Sequence, residues 1–179
     1  LHSSRGAEVT IIDGEETRRG ILCNNQETSN TIIEGFTITN GYNSDDGGGM
    51  SNYNSSPTLK SCTFTNNTAN WGGGVYNHNS SPTLTNCTFT DNTASTGGGM
   101  FNYINSSPTL TDCTFTGNTA DYDGGGMYNL GSGPTLDGCV FENNTASTGG
   151  GMYNEDSNPT LENCTFENNA ANGLTGGGG

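Results

Sequence analysis

The 179-residue chain has little of what builds an ordinary globule. Hydrophobic residues make up 28% of it, against the ~45–50% usual for globular domains. Leu, Ile, Val and Phe together supply only about 15%, a level that points to disorder when the charge is high. An ordinary helical or α/β core is excluded because too few large side chains exist to fill it. Basic residues are scarce: 4 Lys and Arg stand against 18 Asp and Glu, for a net charge of −14. Nucleic acid and anionic membrane surfaces, which need a basic patch, are therefore excluded as partners. No apolar run approaches the ~20 residues of a membrane-spanning helix. There is no C-x-x-C pair of the kind that holds zinc, and no D-x-D-x-D-G or G-G-x-G-x-D calcium loop.

What is present resolves the shortage of apolar residues, because the sequence repeats. Pro57, Pro82, Pro108, Pro134 and Pro159 recur at spacings of 25, 26, 26 and 25. Cys62, Cys87, Cys113, Cys139 and Cys164 keep the same beat, as do Phe64, Phe89, Phe115, Phe141 and Phe166. The Gly triplets at 72–74, 97–99, 124–126 and 149–151 follow. A period of this length belongs to a solenoid, propeller or array. Single-residue insertions fall at Tyr103-Ile104 and Tyr122-Asp123, which marks those gaps as loops. Ile33–Asn40 matches Leu59–Asn66 at an offset of 26, with Phe36 in place of Cys and Ile38 in place of Phe. Thr10-Ile11-Ile12-Asp13-Gly14 reads as a copy of Thr31-Ile32-Ile33-Glu34-Gly35, suggesting a further coil upstream. Residues 1–30 are expected to form a degenerate first coil and residues 31–179 about six regular ones. Leu1 at the start, and Gly176–Gly179 where the next Met-Tyr-Asn is due, suggest a segment of a longer solenoid.

Helical repeats are excluded by a Pro and a Gly triplet in each unit. Cys-Thr-Phe-Thr alternates like a half-buried strand. Val75-Tyr76-Asn77 and Pro-Thr-Leu supply two more extended segments. Three short strands and three turns per unit predict an all-β fold, a right-handed parallel β-helix with coils of 25–26 residues stacked ~4.8 Å apart. Stacking places Leu on Leu, Cys on Cys and Phe on Phe, with Ala69 and its equivalents in narrow parts of the interior. Asn67, Asn92, Asn118, Asn144 and Asn169 are expected at a turn, bonding the stacked backbone. Asn52, Asn77, Asn102, Asn129 and Asn154 form a second ladder. The Gly triplets are read as tight turns with positive φ.

The F-x-x-N units, followed by Gly-Gly-Gly-Met or Gly-Gly-Gly-Val, resemble the repeats of the polymorphic outer-membrane protein family of bacterial adhesins. Residues 31–41 resemble the first coil of pectin-lyase-like β-helix proteins. The resemblance covers roughly residues 9–179 and implies a cell-surface or extracellular adhesive role. The chain departs from that family in having Gly where the family has Ala, and in its Cys ladder.

Several chemistries can be weighed on particular residues. Polysaccharide lyases and hydrolases of this fold need a base or clustered carboxylates. Arg5, Arg18, Arg19 and Lys60 lie outside any acidic cluster, and His2 and His78 have no evident partners, so no catalytic residue is expected. Asp45, Asp46, Asp121 and Asp123 are loop acids that could ligate a structural Ca²⁺, and no other cofactor is implied. The cysteines read as buried, reduced thiols, with Cys23 on a different strand. Thr37/Thr39, Thr63/Thr65, Thr88/Thr90 and Thr114/Thr116 form an outward T-x-T array resembling those of ice-binding solenoids, spoiled at Val140/Glu142 and Thr165/Glu167. Tyr76, Phe101, Tyr128 and Tyr153 are expected as an outward aromatic column, broken at Ser51, that stabilises the ladder or binds sugar. Sequons occur at Asn54, Asn66, Asn79, Asn86, Asn105, Asn143 and Asn163. The expectation is a non-enzymatic extracellular stalk that stacks end to end and carries glycans. A polysaccharide-active or carbohydrate-binding β-helix and an ice-binding solenoid are the alternatives.

Overall fold

One unit shows the plan of the molecule, a computed structural model that describes residues 1–173. Thr58–Lys60, Thr63–Thr65, Thr68–Trp71 and Val75–His78 are four short strands, so the coil has four sides and not the three expected. The fourth side was hidden because its strands, such as Thr68–Trp71, Thr93–Thr96 and Thr119–Ala120, bury only an alanine. Among the described residues every regular element is a strand.

Each strand pairs in parallel with its equivalent in the coils below and above. The leucine face has six strands, from Ile32–Glu34 to Thr160–Glu162. The phenylalanine face has seven, from Ile11–Asp13 to Thr165–Glu167. The alanine face has six, from Tyr42–Asp46 to Ala170–Ala171, and the asparagine face six, from Ile21–Cys23 to Met152–Glu155. Registers are exact in type: Leu59, Leu84, Leu110, Leu136 and Leu161 align, as do Phe64, Phe89, Phe115, Phe141 and Phe166. The five phenylalanine rings stack 4.4–5.1 Å apart with planes within 8° of parallel. A few large side chains suffice because each is covered by its own copies.

The corners carry a rule that the period alone does not display. At each one a residue takes positive φ, and a small group then turns inward. Between the phenylalanine and alanine faces the first residue is Asn40, Asn66, Asp91, Gly117, Asn143 or Asn168. Between the leucine and phenylalanine faces it is Gly35, Ser61, Asn86, Asp112, Gly138 or Asn163. Before the leucine face it is Gln26, Asn54, Asn79, Asn105, Gly131 or Asp156. Asn, Asp and Gly dominate because the left-handed region costs them least. The inward groups that follow are Asn, Cys and Ser respectively, except at the first corner of each set, where Gly41, Phe36 and Glu27 follow.

In the Gly triplets only the first residue takes positive φ, as at Gly72 and Gly97. The other two answer to space. A Cβ on Gly73 would lie 2.5 Å from the Thr93 carbonyl oxygen, and one on Gly74 would lie 2.5 Å from that of Gly99. The triplet therefore carries the backbone ladder through a corner with no room for a side chain.

Polar columns close the remaining valences. The Asn118 amide donates to Asn144 Oδ1 and to the Phe89 carbonyl, each at 2.9 Å. Its own Oδ1 accepts from the Asn92 backbone N–H at 3.1 Å and from Asn92 Nδ2 at 2.9 Å. The second column is thinner: Asn52, Asn77, Asn102, Asn129 and Asn154 pass one amide bond of 2.8 Å from coil to coil. A serine column, unread in the sequence, completes the set. Ser106 Oγ donates to the Tyr103 carbonyl at 2.8 Å and accepts from the Ser80 N–H at 3.1 Å.

The first coil departs from the sequence reading. Ile11–Asp13 pairs with Thr37–Thr39 on the phenylalanine face, so it is no copy of Ile32–Glu34, which lies one face earlier. His2 bridges to Glu34 instead and supplies the leucine-face position. Cys23 aligns with Asn52; no amide stands below Asn52, and its Oδ1 has no partner among the described residues. Gly176–Gly179 lie outside the described residues.

Candidate functional site

The Gly-triplet corner leaves bare backbone where the alanine and asparagine faces meet, and a groove forms over it. One wall is the residue preceding each triplet. Asp46 pairs with Trp71, and Trp71 pairs with Thr96. Asp123 comes next in that column: its carbonyl accepts from Gly97 N–H just as that of Thr96 accepts from Gly72 N–H. The floor is the column Ser51, Tyr76, Phe101, Tyr128 and Tyr153. The far wall is Tyr53, His78, Tyr103, Leu130 and Glu155. Trp71, Tyr76, Thr96, Phe101, Tyr103, Tyr128 and Leu130 line a cavity of ≈ 280 Å³ here.

The aromatic column corrects its sequence reading. It does point away from the coil interior, but Tyr76, Phe101 and Tyr128 are only 4–6% exposed. The glycine corner covers them: a Cβ on Gly97 would stand 2.9 Å from Phe101 Cβ. Tyr53, Tyr103, Leu130 and Tyr153 pack around them. Tyr76 meets Phe101 edge to face at 5.6 Å, and Phe101 meets Tyr128 the same way at 4.7 Å. His78 is not isolated either, since its ring lies 5.3 Å from Tyr53 and 5.1 Å from Tyr103. Trp71 remains 42% exposed at the lip. The period could have found it, because Trp71 stands where Thr96 stands, immediately before a triplet.

Carboxylates sit at both ends of the groove. At one end Asp46, buried, receives Arg19 Nη2 on Oδ1 and the Tyr53 hydroxyl on Oδ2. Arg19 Nε also donates to the Gly47 carbonyl at 2.9 Å. Arg19 therefore does lie beside an acid, contrary to the sequence reading, and the pair is mutually satisfied. Burial and the Asp46 carboxylate push the Tyr53 hydroxyl up to about 12. At the other end Tyr128 Oη donates to Glu155 Oε2 at 2.6 Å, and Asp123 lies close enough to act on the same phenol. Burial, then Glu155 and Asp123, push the Tyr128 hydroxyl well up, so it stays a neutral donor.

The four loop acids do not converge. Asp46 and Asp123 are three coils apart along their column, on the order of 14 Å, and Asp46 is already bonded to Arg19. Asp45 and Asp121 are exposed. Among the described residues no group of three His, Cys, Asp or Glu side chains could hold a metal ion. The four acids are thus not gathered into one cluster. His2, expected to be alone, pairs with Glu34 at 3.2 Å.

A family model described as "Right handed beta helix region" matches residues 3–136 and again residues 69–178. The chain belongs to that family. The two matched windows overlap over residues 69–136. No curated protein and no solved structure matches the chain.

The remaining candidates take defined places on this β-helix. All seven sequon asparagines (Asn54, Asn66, Asn79, Asn86, Asn105, Asn143 and Asn163) are corner residues with φ of 49–55°, and all are exposed. The sequon follows from the corner rule: Asn for positive φ, then the inward Ser, Cys or Asn, then a Ser or Thr. All six cysteines are free thiols. Five face inward in register, donating to backbone carbonyls, as from Cys139 to Leu110 at 3.7 Å. Hydrogen bonding to the stacked neighbouring thiols, and then burial, raises the Cys62 and Cys113 thiols, and burial pushes the Cys23 thiol up to about 11. The T-x-T pairs stand half-exposed on the phenylalanine face in register until Val140 and Glu142 interrupt them. Thr58, Thr83, Thr109, Thr135 and Thr160 form a further threonine column on the leucine face.

Proposed function

We propose that this β-helix is a non-enzymatic structural and adhesive segment of an extracellular or cell-surface protein, a stiff acidic stalk. The observation that carries this reading is the continuity of its columns. Phe on Phe, Asn on Asn, Ser on Ser and Gly on Gly run from coil to coil. Each coil is thereby a template for the next, which is what an extended rod requires. The Arg19–Asp46 pair supports the reading too, because half-buried Arg19 and buried Asp46 hold a corner together and satisfy each other. Exposed corner asparagines are suited to carrying glycans along the edges.

Small-angle scattering of the purified chain tests the rod, with a length set by ~4.8 Å per coil. A second arm incubates the protein with acidic polysaccharides and follows reducing ends and unsaturated products. The proposal expects an extended particle and no product. Turnover that disappears in Asp46→Asn would replace the stalk with an enzyme. Peptide mass mapping of material from the native source reads glycan directly at the seven corner asparagines.

A further inference from the structure

We infer that the groove over the Gly-triplet corner is a docking site for an arginine side chain of a basic partner polypeptide. Three features of the groove select this occupant. Its lining is aromatic: Tyr103, half-buried, stands one coil from Asp123 and two from Glu155, and Trp71 stands exposed at the far lip, two coils from Asp123. A guanidinium is planar, weakly hydrated and attracted to such ring faces. The carboxylates at the Tyr128 end, Asp123 and Glu155, have no basic partner: the salt bridges among the described residues are His2–Glu34, Arg18–Glu15 and Arg19–Asp46. Glu155 is already held at the groove by the Tyr128 hydroxyl on Oε2, so its other oxygen is left to accept a charged N–H.

The opposite end shows what the groove accepts. There the chain's own Arg19 reaches Asp46, beside Tyr53, in the same column system. The Asp123 and Glu155 end repeats the carboxylate and the tyrosine without the arginine. With 4 basic residues against 18 acidic ones, the chain supplies few cations of its own, and its field steers a basic partner inward. The volume of ≈ 280 Å³ suits one side chain and not a folded surface.

Trp71 is the single tryptophan of the chain, so its emission reports on this groove and nowhere else. The experiment titrates the protein with a blocked Gly-Arg-Gly peptide and with the same peptide carrying citrulline, which keeps the shape and loses the charge. Two double variants follow. Asp123→Asn with Glu155→Gln removes the charges at the groove, whereas Glu142→Gln with Glu167→Gln removes two from the phenylalanine face. The inference expects a saturable change in Trp71 emission with the arginine peptide and binding about tenfold weaker with citrulline. Tenfold corresponds to ~1.4 kcal/mol, within what a cation–π contact supplies. It expects a similar loss in the groove variant and less than about twofold in the distant one.

Equal binding of the two peptides, or equal loss in the two double variants, would overturn it, the latter by reducing the effect to bulk charge. A response to tetramethylammonium at least as tight as to the arginine peptide would replace the peptide with a small cation. A response to neutral oligosaccharides alone would make the groove a sugar site. Circular dichroism of each variant confirms that its β-helix is intact before binding is compared.

Discussion

Two aromatic columns run the length of this β-helix, and they obey different rules. Inside, Phe64, Phe89, Phe115, Phe141 and Phe166 are one residue type, stacked within 8° of parallel. Outside, the column reads Ser51, Tyr76, Phe101, Tyr128 and Tyr153, and its Tyr76–Phe101 and Phe101–Tyr128 contacts cross at 83° and 81°. The inner column is fixed by the need to fill the same space in every coil. The outer one is released from that need and varies, and its variation opens a groove. Identity along a column marks support; variation along a column marks where a surface can be specific.

The largest effect that would sharpen this contrast is truncation of the inner column. Phe115→Ala is expected to cost ~3–5 kcal/mol, since the side chain is fully buried and a cavity between identical neighbours cannot collapse. Phe101→Ala should cost roughly half as much, because the groove beside it already admits solvent. Denaturant midpoints of the two variants measure the difference, and equal costs would erase the distinction. Asn118→Ala comes next, at about 1–3 kcal/mol, because it strands the Asn92 N–H inside the coil and takes one donor from the Phe89 carbonyl. Asn102→Ala should cost less, its column passing a single bond per coil. Gly99→Ala is expected to fall in the ~1–3 kcal/mol range, as its Cβ would meet the Gly126 carbonyl oxygen at 2.5 Å.

Alkaline stability sharpens the outer column alone. Tyr53 is raised from an ordinary value near 10 to about 12, chiefly by burial. A raised folded value means that the neutral phenol is favoured in the folded chain. Its contribution is complete below pH ~10 and is lost as pH rises towards 12. Ultraviolet titration should therefore show Tyr53, Tyr76 and Tyr128 ionising only with unfolding. The smallest effect is chemical. A thiol reagent should find at most the half-exposed Cys164 in the folded chain and all six thiols after denaturation.

Much of the support was legible in the sequence, and most of the groove was not. The period placed Leu, Cys and Phe in register because each occupies an invariant interior position, and an offset of 26 aligns Ile33 with Leu59 and Ile38 with Phe64. The alanine face escaped because one inward methyl per strand leaves too weak an alternation to read. The similarity of Thr10–Gly14 to Thr31–Gly35 misled, because short runs of Ile suit either the leucine or the phenylalanine face. Tyr76, Phe101 and Tyr128 alternate outward as expected. Their burial depends on a glycine corner folding over them, which no local pattern announces. The link between Arg19 and Asp46 joins residues 27 apart, one coil plus one residue, and only the four-sided winding brings them together. The sequons were visible as motifs; that all seven asparagines hold a left-handed corner is a fact of backbone geometry.

The most direct test of the central claim, that identical side chains stack in register around a four-sided coil, is to locate the sulfur atoms. Anomalous diffraction from crystals of the native protein would do so without reference to any starting coordinates. The account predicts one straight row of five cysteine sulfurs at ~4.8 Å intervals, with Cys23 off the row. A second row should hold Met50, Met100, Met127 and Met152, with a gap at Val75 between the first two. Sulfurs scattered off a common line, paired into disulfides, or lacking the gap at Val75 would contradict it.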